Sequence, residues 1–156
     1  FGTIEVRVCD CPSTLREACA LAAFIQCLVV YLDHLYDEGI VFPLLRPWIV
    51  RENKWRAVRF GLDADIIRDN EGRQCSLRED IHRMLESLEE WAGQRQCQQE
   101  LKDVERILRE GASYERQRRH YAEQPSFRHV MQHLVTDLRA DTFGHGAGSM
   151  GHGGKR

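Results

Sequence analysis

The first ten residues alternate between apolar and polar side chains, which is the pattern of a half-buried β-strand. The apolar positions are Ile4, Val6 and Val8. Because successive side chains on a strand point to opposite faces, Glu5 and Arg7 should project from one face, roughly 6.5 to 7 Å apart along the strand. The pattern therefore predicts a strand that presents a carboxylate and a guanidinium side by side.

The apolar positions of the remaining chain recur mostly at helical spacing and predict about six helices. The predicted spans are 14–36, 51–60, 76–92, 98–110, 113–123 and 126–139. The first of these is apolar nearly all round, so we expect it to be buried against the sheet to which the strand belongs. No second convincing strand follows in the sequence, and the pattern predicts an α+β fold with one strand.

Local signals predict where several helices begin and end. Thr14 with Glu17, and Ser76 with Glu79, have the spacing of capping boxes. Gly61 is placed to end the second helix, because a glycine adopts the backbone conformation that commonly follows a helix.

Two further segments predict connections rather than helices or strands. Residues 39–50 contain two prolines and predict a loop, and residues 69–72 have the composition of a turn.

On the second helix, Trp55, Val58 and Leu62 fall on one side and predict a packed stripe.

A lone strand raises a structural problem, because it cannot satisfy its own backbone N–H and C=O groups. The sequence also begins with Phe1 rather than methionine. We therefore expect the chain to be the C-terminal part of a longer protein, with its sheet partners upstream or in another chain. We expect one domain over residues 1–143, followed by a disordered tail rich in Gly and His over residues 144–156.

The composition narrows the classes of partner. The net charge is −2, with basic and acidic residues mixed along the chain, which argues against nucleic-acid binding. The most apolar segment, residues 18–32, contains Gln26 and is shorter than the roughly 20 residues that a membrane span needs. We therefore expect no membrane contact.

The cysteine pattern favours a cytoplasmic location. The six cysteines include no CxxC pair and no set with zinc-ligand spacing. Cys19 and Cys27 lie within the first predicted helix, where cysteine acts as a small apolar residue. Cys9 and Cys11 form a close pair, but two small residues at a strand end explain them more simply than a metal or redox site.

Two constellations carry candidate chemistry. Glu5 and Arg7 suit a Mg²⁺ ion and a phosphate at one site, although such pairs are more often simple surface charge pairs. On the second helix, Glu52, Arg56 and Arg59 share a face that an anionic ligand could occupy. The commoner explanation there is surface pairing between Glu52 and Arg56, four residues apart.

A basic segment, residues 114–121, combines three arginines with a tyrosine at each end and raises nucleic-acid binding as a third possibility. The candidate contacts are Arg116, Arg118 and Arg119. A single charged helical turn is more commonly a solvated face, and the overall charge balance counts against this role.

Residues 1–15, Phe-Gly-Thr-Ile-Glu-Val-Arg-Val-Cys-Asp-Cys-Pro-Ser-Thr-Leu, strongly resemble a segment of the bacterial carboxylate–amine ligases, the glutamate–cysteine ligase type 2 family. In that family the strand reads G-T-[VI]-E-[VF]-R-[VI]-x-D. Residues 52–63, Glu-Asn-Lys-Trp-Arg-Ala-Val-Arg-Phe-Gly-Leu-Asp, resemble the family's N-[RK]-[WF]-x-A-x-R-[YF]-G-L segment. Residues 116–118 are similar to the family as well, with low specificity.

The resemblance implies a glutamine-synthetase-like fold, in which an antiparallel sheet forms a funnel with helices outside. It also implies a reaction that uses ATP and Mg²⁺ to form an acyl phosphate, which an amine then attacks. By carry-over, Glu5 would bind Mg²⁺ and Arg7 would bind the transferring phosphate. Asn53 and Arg59 match recurrent family positions and would help to bind substrate.

The same resemblance sets expectations for partners. The substrates would be glutamate and cysteine or another amine, and the protein could form a homodimer. Family members are more than twice as long as this chain, so the upstream part with further metal and nucleotide ligands is expected as a partner. The segment alone is expected to be inactive.

A non-enzymatic alternative remains open at this point. The unpaired strand and the amphipathic helices would also suit a helical interaction module that adds its strand to the sheet edge of a partner.

Overall fold

The computed structural model describes residues 3–7, 9, 11–41 and 43–143. These residues contain six α-helices and a two-stranded sheet. In chain order the elements are α1 (Leu15–Asp37), α2 (Pro47–Phe60), a 3-10 turn (Gly61–Asp63), β1 (Asp65–Ile67), β2 (Gln74–Ser76), α3 (Leu77–Arg95), α4 (Gln98–Glu110), α5 (Ser113–Glu123) and α6 (Phe127–Phe143). The described residues divide into two compact units, one within residues 19–112 and the other within residues 3–18 and 113–143.

The core of the 19–112 unit lies among α1, α3 and α4. Its buried residues are Ala20, Cys27, Leu85, Leu88, Ala92, Leu101, Val104 and Leu108. On α3 and α4 these residues recur every three or four positions, which turns one apolar stripe of each helix inward. Leu88 is fully buried, and burial of such a side chain stabilises the fold by roughly 1.5–3 kcal/mol.

Two cysteines meet inside this core. Sγ of Cys27 lies 3.6 Å from Sγ of Cys97, and both thiols are free. Burial, followed by the hydrogen bond with Cys97, raises the pKa of Cys27 to about 11. The thiol of Cys27 is therefore protonated at neutral pH and acts as an apolar group. Cys19 is exposed on the same helix, so the expectation that it packs internally was wrong.

The antiparallel pair β1–β2 was not predicted. Its register places Asp65 opposite Ser76, Ile66 opposite Cys75 and Ile67 opposite Gln74. Each strand has three residues, which is too short for the alternation of apolar and polar residues to be recognised in the sequence.

The turn predicted at residues 69–72 is confirmed, and it connects β1 to β2. Gly72 has a φ of +86° and donates its N–H to the carbonyl of Asp69 at 3.2 Å. The Asp69 carboxylate accepts hydrogen bonds from the backbone N–H groups of Glu71 and Arg73. Desolvation raises the pKa of Asp69, but the combined hydrogen bonds and charge of Arg73 outweigh it and leave that pKa below its usual value.

Helix α2 begins at Pro47, four residues before the predicted start. Pro47 was interpreted as part of a loop, but it occupies the first position of the helix. Proline is tolerated there because a backbone N–H at that position would have no acceptor within the helix. Gly61 follows the helix with a φ of +60°, and its N–H donates to the carbonyl of Ala57. The predicted role of this glycine is thus confirmed.

The other unit contains the first turn of α1 together with α5 and α6. The backbone N–H of Glu17 donates to Oγ1 of Thr14, as the predicted capping box requires. The carboxylate of Glu17 turns instead to the backbone N–H and the hydroxyl of Ser13. Glu17 is buried, and Nη2 of Arg116 on α5 lies 2.5 Å from its Oε1. This ion pair links α5 to the first turn of α1.

Further predictions about secondary structure and packing are not met within the described part of the chain. Residues 3–7 form no strand there, since no described segment pairs with them and the sheet partners were expected upstream or in another chain, and Ile4 is 73% exposed. Ser76 precedes α3, but its side chain makes no capping hydrogen bond. On α2, Trp55 and Val58 are exposed, and only Leu62 of the predicted stripe packs on the core. Val8, Asp10 and the tail over residues 144–156 lie outside the described residues.

Helix α1 is less buried than predicted. Ala20, Ala23 and Cys27 face inward, whereas Leu32 and Tyr36 are exposed. This helix has 23 residues, and an 18-residue window within it reaches a mean hydropathy of 1.8, so its length and composition would suffice for a membrane span. Only 17% of that window is buried, and both core helices of soluble proteins and signal sequences satisfy the same criterion.

The fold class is α+β, as predicted, with more helix than strand.

Candidate functional site

The first candidate site is the ion pair between Glu5 and Arg7. Nη2 of Arg7 lies 2.8 Å from Oε2 of Glu5, so the two charged groups are adjacent even though residues 3–7 form no strand in the described part of the chain. Both side chains are exposed, Glu5 by 68% and Arg7 by 80%. Among the described residues Arg7 is the only hydrogen-bond or ion-pair partner of Glu5, so most oxygen lone pairs of this carboxylate are open to an incoming ligand.

Asn53 joins α2 to the hairpin. Its side-chain Nδ2 donates to the carbonyl of Ile67, and its Oδ1 accepts from the N–H of Ile67, both at 2.8 Å. The amide thereby satisfies the backbone of β1 in the way that a further strand would. One N–H and one lone pair of the amide remain for a ligand.

Arg56 strengthens the same junction. Its guanidinium donates to Oε1 of Glu52 at 2.8 Å, to the carbonyl of Asp65 at 2.9 Å and to Oε1 of Gln74 at 2.6 Å. The pairing of Glu52 with Arg56 is the commoner explanation that was given for this motif. The contacts to β1 and β2 were missed, because the hairpin itself was not predicted.

Arg59 is exposed on α2, and none of the described residues forms a hydrogen bond or ion pair with it. Its spacing from Trp48 and Trp55, eleven and four residues, places all three on one side of the helix. Trp48 is 47% exposed and Trp55 is 56% exposed. This side of α2 therefore presents two exposed aromatic side chains and, nearer the C-terminal end of the helix, a guanidinium.

Asn53 also borders a cleft of about 410 Å³ between the hairpin, α1 and α3. On its polar side, Oδ1 of Asp80 lies 3.3 Å from both Nε of Arg68 and Nη2 of Arg83. Two guanidiniums share one carboxylate here, so the local charge is positive and suits an anionic ligand. Arg68 and Arg83 were missed as site residues, and only the unpredicted hairpin brings Arg68 to this place.

In the basic segment proposed for nucleic-acid contact, Arg116 and Arg118 contact other residues of the protein. Arg116 binds Glu17 and also donates to Oγ of Ser13 at 2.8 Å. Arg118 lies over the ring of Tyr114, 5.2 Å from its centroid. A guanidinium committed to a buried carboxylate is a structural group, so Arg116 does not support the nucleic-acid hypothesis.

The four predicted site residues therefore form two pairs in different compact units. Glu5 and Arg7 contact each other directly, and Asn53 and Arg59 share helix α2. These pairs coincide with the two motifs that carry the family resemblance.

Comparison with known proteins identifies the class. The sequence profile of glutamate–cysteine ligase family 2 matches residues 1–133, and the chain belongs to that family.

Among its relatives is a protein of Mycobacterium ulcerans named "Putative glutamate--cysteine ligase 2", 47% identical over 139 residues. Proteins of Corynebacterium efficiens and an Arthrobacter species, both named "Putative glutamate--cysteine ligase 2-1", are 46% and 45% identical over 121 and 140 residues. These alignments cover 88%, 78% and 89% of this chain, respectively. The matched region is only 32% to 37% of each relative, so the chain spans about a third of their length.

Proposed function

We propose that this chain forms the C-terminal part of an ATP-dependent carboxylate–amine ligase of the glutamate–cysteine ligase type. The observation that supports this most directly is the ion pair of Glu5 and Arg7 within a segment that matches the family. The proposed reaction joins the γ-carboxylate of glutamate to the amine of cysteine, or to another amine, through an acyl phosphate.

The chemistry of the two side chains fits this reaction. A carboxylate is a poor electrophile, and phosphate transfer from ATP with Mg²⁺ supplies it with a leaving group. Mg²⁺ prefers oxygen ligands, and the exposed carboxylate of Glu5 offers two. The guanidinium of Arg7 can bind a phosphoryl group through two parallel N–H donors and stabilise its negative charge.

Helix α2 would contribute to substrate binding through Arg59 and Asn53. The exposed guanidinium of Arg59 is available to a substrate carboxylate or a phosphate. Asn53 would act mainly by holding β1 in place beside the positively charged cleft of Arg68 and Arg83.

The proposed ligase needs the upstream part of a longer protein, and the exposed apolar residues support this. On α2 and the segment before it, they are Val41, Leu44, Trp48, Val50, Trp55, Val58 and Phe60. Apolar surface of this extent commonly marks an interaction site. We propose that the upstream part covers it and pairs with residues 3–7 to extend the glutamine-synthetase-like sheet. The location proposed for the whole protein is the cytoplasm, and a homodimer is consistent with the family.

The proposal is tested by assaying ADP release from this chain fused behind the upstream two thirds of the Arthrobacter relative. With ATP and Mg²⁺, the fusion should release ADP only when both glutamate and an amine acceptor are supplied. Neither the upstream part nor this chain alone should do so. ADP release that ignores glutamate, or none from a soluble and folded fusion with a panel of amines, would contradict the proposal.

One observation also favours the non-enzymatic alternative. Ile4 and Val6 are exposed by 73% and 42% in a segment without a described strand partner, so they could add to the sheet edge of another protein. The two functions differ in the partner that they require. Binding of the upstream segment with recovery of ligase activity supports the enzyme, whereas binding of unrelated proteins alone supports the interaction module.

A further inference from the structure

We propose that His120, His129 and His133 form a binding site for a divalent transition metal of the Zn²⁺ type. Each histidine offers one ring nitrogen, and these three atoms lie within 4.8 Å of one another. His120 is on α5, whereas His129 and His133 are four residues apart on α6. Spacing of this kind places two imidazoles on the same face of a helix, where both can reach one ion.

The rings are already packed against each other. The centroids of His120 and His133 are 3.6 Å apart with nearly parallel planes, and His129 stands edge-on to His133 at 4.5 Å. All three side chains are partly buried. A site that is half shielded from water favours imidazole coordination, because little solvent competes for the ion.

One nitrogen in the cluster lacks a hydrogen bond. Nδ1 of His120 is buried and has no hydrogen-bond partner among the described residues. Glu123, one turn further along α5, places Oε2 3.4 Å from this nitrogen. A bound metal ion would provide a partner for the ring nitrogens of the cluster. The carboxylate of Glu123 would then either act as a fourth ligand or orient the His120 ring.

Binding requires a rearrangement of the cluster. Tetrahedral Zn²⁺ with Zn–N bonds near 2.1 Å separates its nitrogen ligands by about 3.4 Å, so nitrogens that lie up to 4.8 Å apart must approach by up to about 1.4 Å. Because a metal lies in the plane of each imidazole that binds it, one of the stacked rings must turn. All three side chains are partly exposed to solvent.

The ligand set separates this site from the proposed Mg²⁺ site. Imidazole favours Zn²⁺, Cu²⁺ and Ni²⁺, whereas Mg²⁺ prefers carboxylate and phosphate oxygens. An ion held by both helices would tie α5 to α6, so binding should stabilise this helical pair. The inference is independent of the ligase reaction.

The test uses Co²⁺, whose visible absorption reports its coordination number, with Zn²⁺ as a competitor. His145, His152, Cys9 and Cys11 could also bind metal, so the background protein carries His145→Ala, His152→Ala, Cys9→Ser and Cys11→Ser. His133→Gln and His120→Gln are tested in this background. His82→Gln is the matched control, because His82 is exposed on α3 and lies outside the cluster.

The background protein should bind one equivalent of Co²⁺ with a tetrahedral or five-coordinate spectrum, and Zn²⁺ should displace it and raise the Tm. His133→Gln and His120→Gln should weaken binding by about 100-fold or more and abolish the rise in Tm, with unchanged circular dichroism without metal. His82→Gln should behave as the background. Absence of stoichiometric binding by the background, or equal affinity in His133→Gln, would overturn the proposal.

Discussion

The side-chain amide of Asn53 exchanges two hydrogen bonds with the backbone of Ile67, each 2.8 Å long. Asn53 belongs to the segment that resembles the family, and these two hydrogen bonds give it a structural role. It connects α2, which carries Arg59, to the hairpin that borders the positively charged cleft. The motif therefore positions neighbouring elements, in addition to the substrate binding that we propose for it.

Replacement of Asn53 by Ala should destabilise the chain by about 2 kcal/mol, because it removes two hydrogen bonds and leaves the backbone of buried Ile67 without these partners. Urea unfolding followed by circular dichroism measures this change. Lys54→Ala, at an exposed neighbouring position, is the control and should alter stability by less than about 0.5 kcal/mol. Equal midpoints for the two variants would show that the amide does not stabilise the junction.

The sequence predicted some elements closely. Helices α4 and α5 begin and end at the predicted residues, since Gly111 and Pro125 interrupt strongly periodic segments. The hairpin escaped prediction because its stability comes from contacts with Asn53 and Arg56, which are remote in sequence.

In the candidate site, too, contacts between residues close in sequence were predictable, whereas contacts that depend on the packing of distant segments were not. Glu5 and Arg7 are only two residues apart, so their contact is local, although residues 3–7 do not form the strand from which it was predicted. The convergence of Arg68 and Arg83 on Asp80 depends on how the hairpin packs, which no local pattern encodes.

Arg116→Ala should destabilise the chain by about 3 kcal/mol, because the buried carboxylate of Glu17 would lose its cationic partner. Thermal or urea unfolding provides the measurement. Arg118→Ala on the same helix is the matched control, since Arg118 is exposed and contacts the Tyr114 ring. A loss for Arg116→Ala no greater than that for Arg118→Ala would contradict the assigned role of the ion pair.

The raised pKa of Cys27 predicts a pH dependence of stability. The folded pKa of about 11 exceeds the ordinary value of 9.0, so the folded state retains its proton where the unfolded state loses it. The contribution of this thiol is therefore fully present below pH 9 and is lost as the pH rises from about 9 to about 11.

This dependence can be measured as the free energy of unfolding at pH 8, 9 and 10 under reducing conditions. Cys27→Ala should be less stable at pH 8 because it leaves a small cavity, and its stability should fall less steeply towards pH 10. Cys19→Ala changes an exposed cysteine on the same helix and should keep the original slope. If Cys27→Ala also kept that slope, the pH effect would not come from Cys27.

Arg7→Lys should reduce kcat of the fusion protein by roughly 10-fold or more, even though the positive charge is kept. Lysine cannot reproduce the two parallel N–H donors with which arginine binds a phosphoryl group. Steady-state ADP release measures the effect, with Arg73→Lys in the exposed turn as the control. Full activity in Arg7→Lys would argue against phosphoryl binding by Arg7.

The central claim, that Glu5 binds the Mg²⁺ of a ligase site, is tested most directly by the Mg²⁺ dependence of ADP release in the fusion protein. Glu5→Gln keeps the size of the side chain but removes its charge. It should raise the Mg²⁺ concentration needed for half-maximal rate and lower kcat by about 100-fold or more. Glu71→Gln, at an exposed turn position, should leave both unchanged. An unaltered Mg²⁺ requirement and rate in Glu5→Gln would contradict the account.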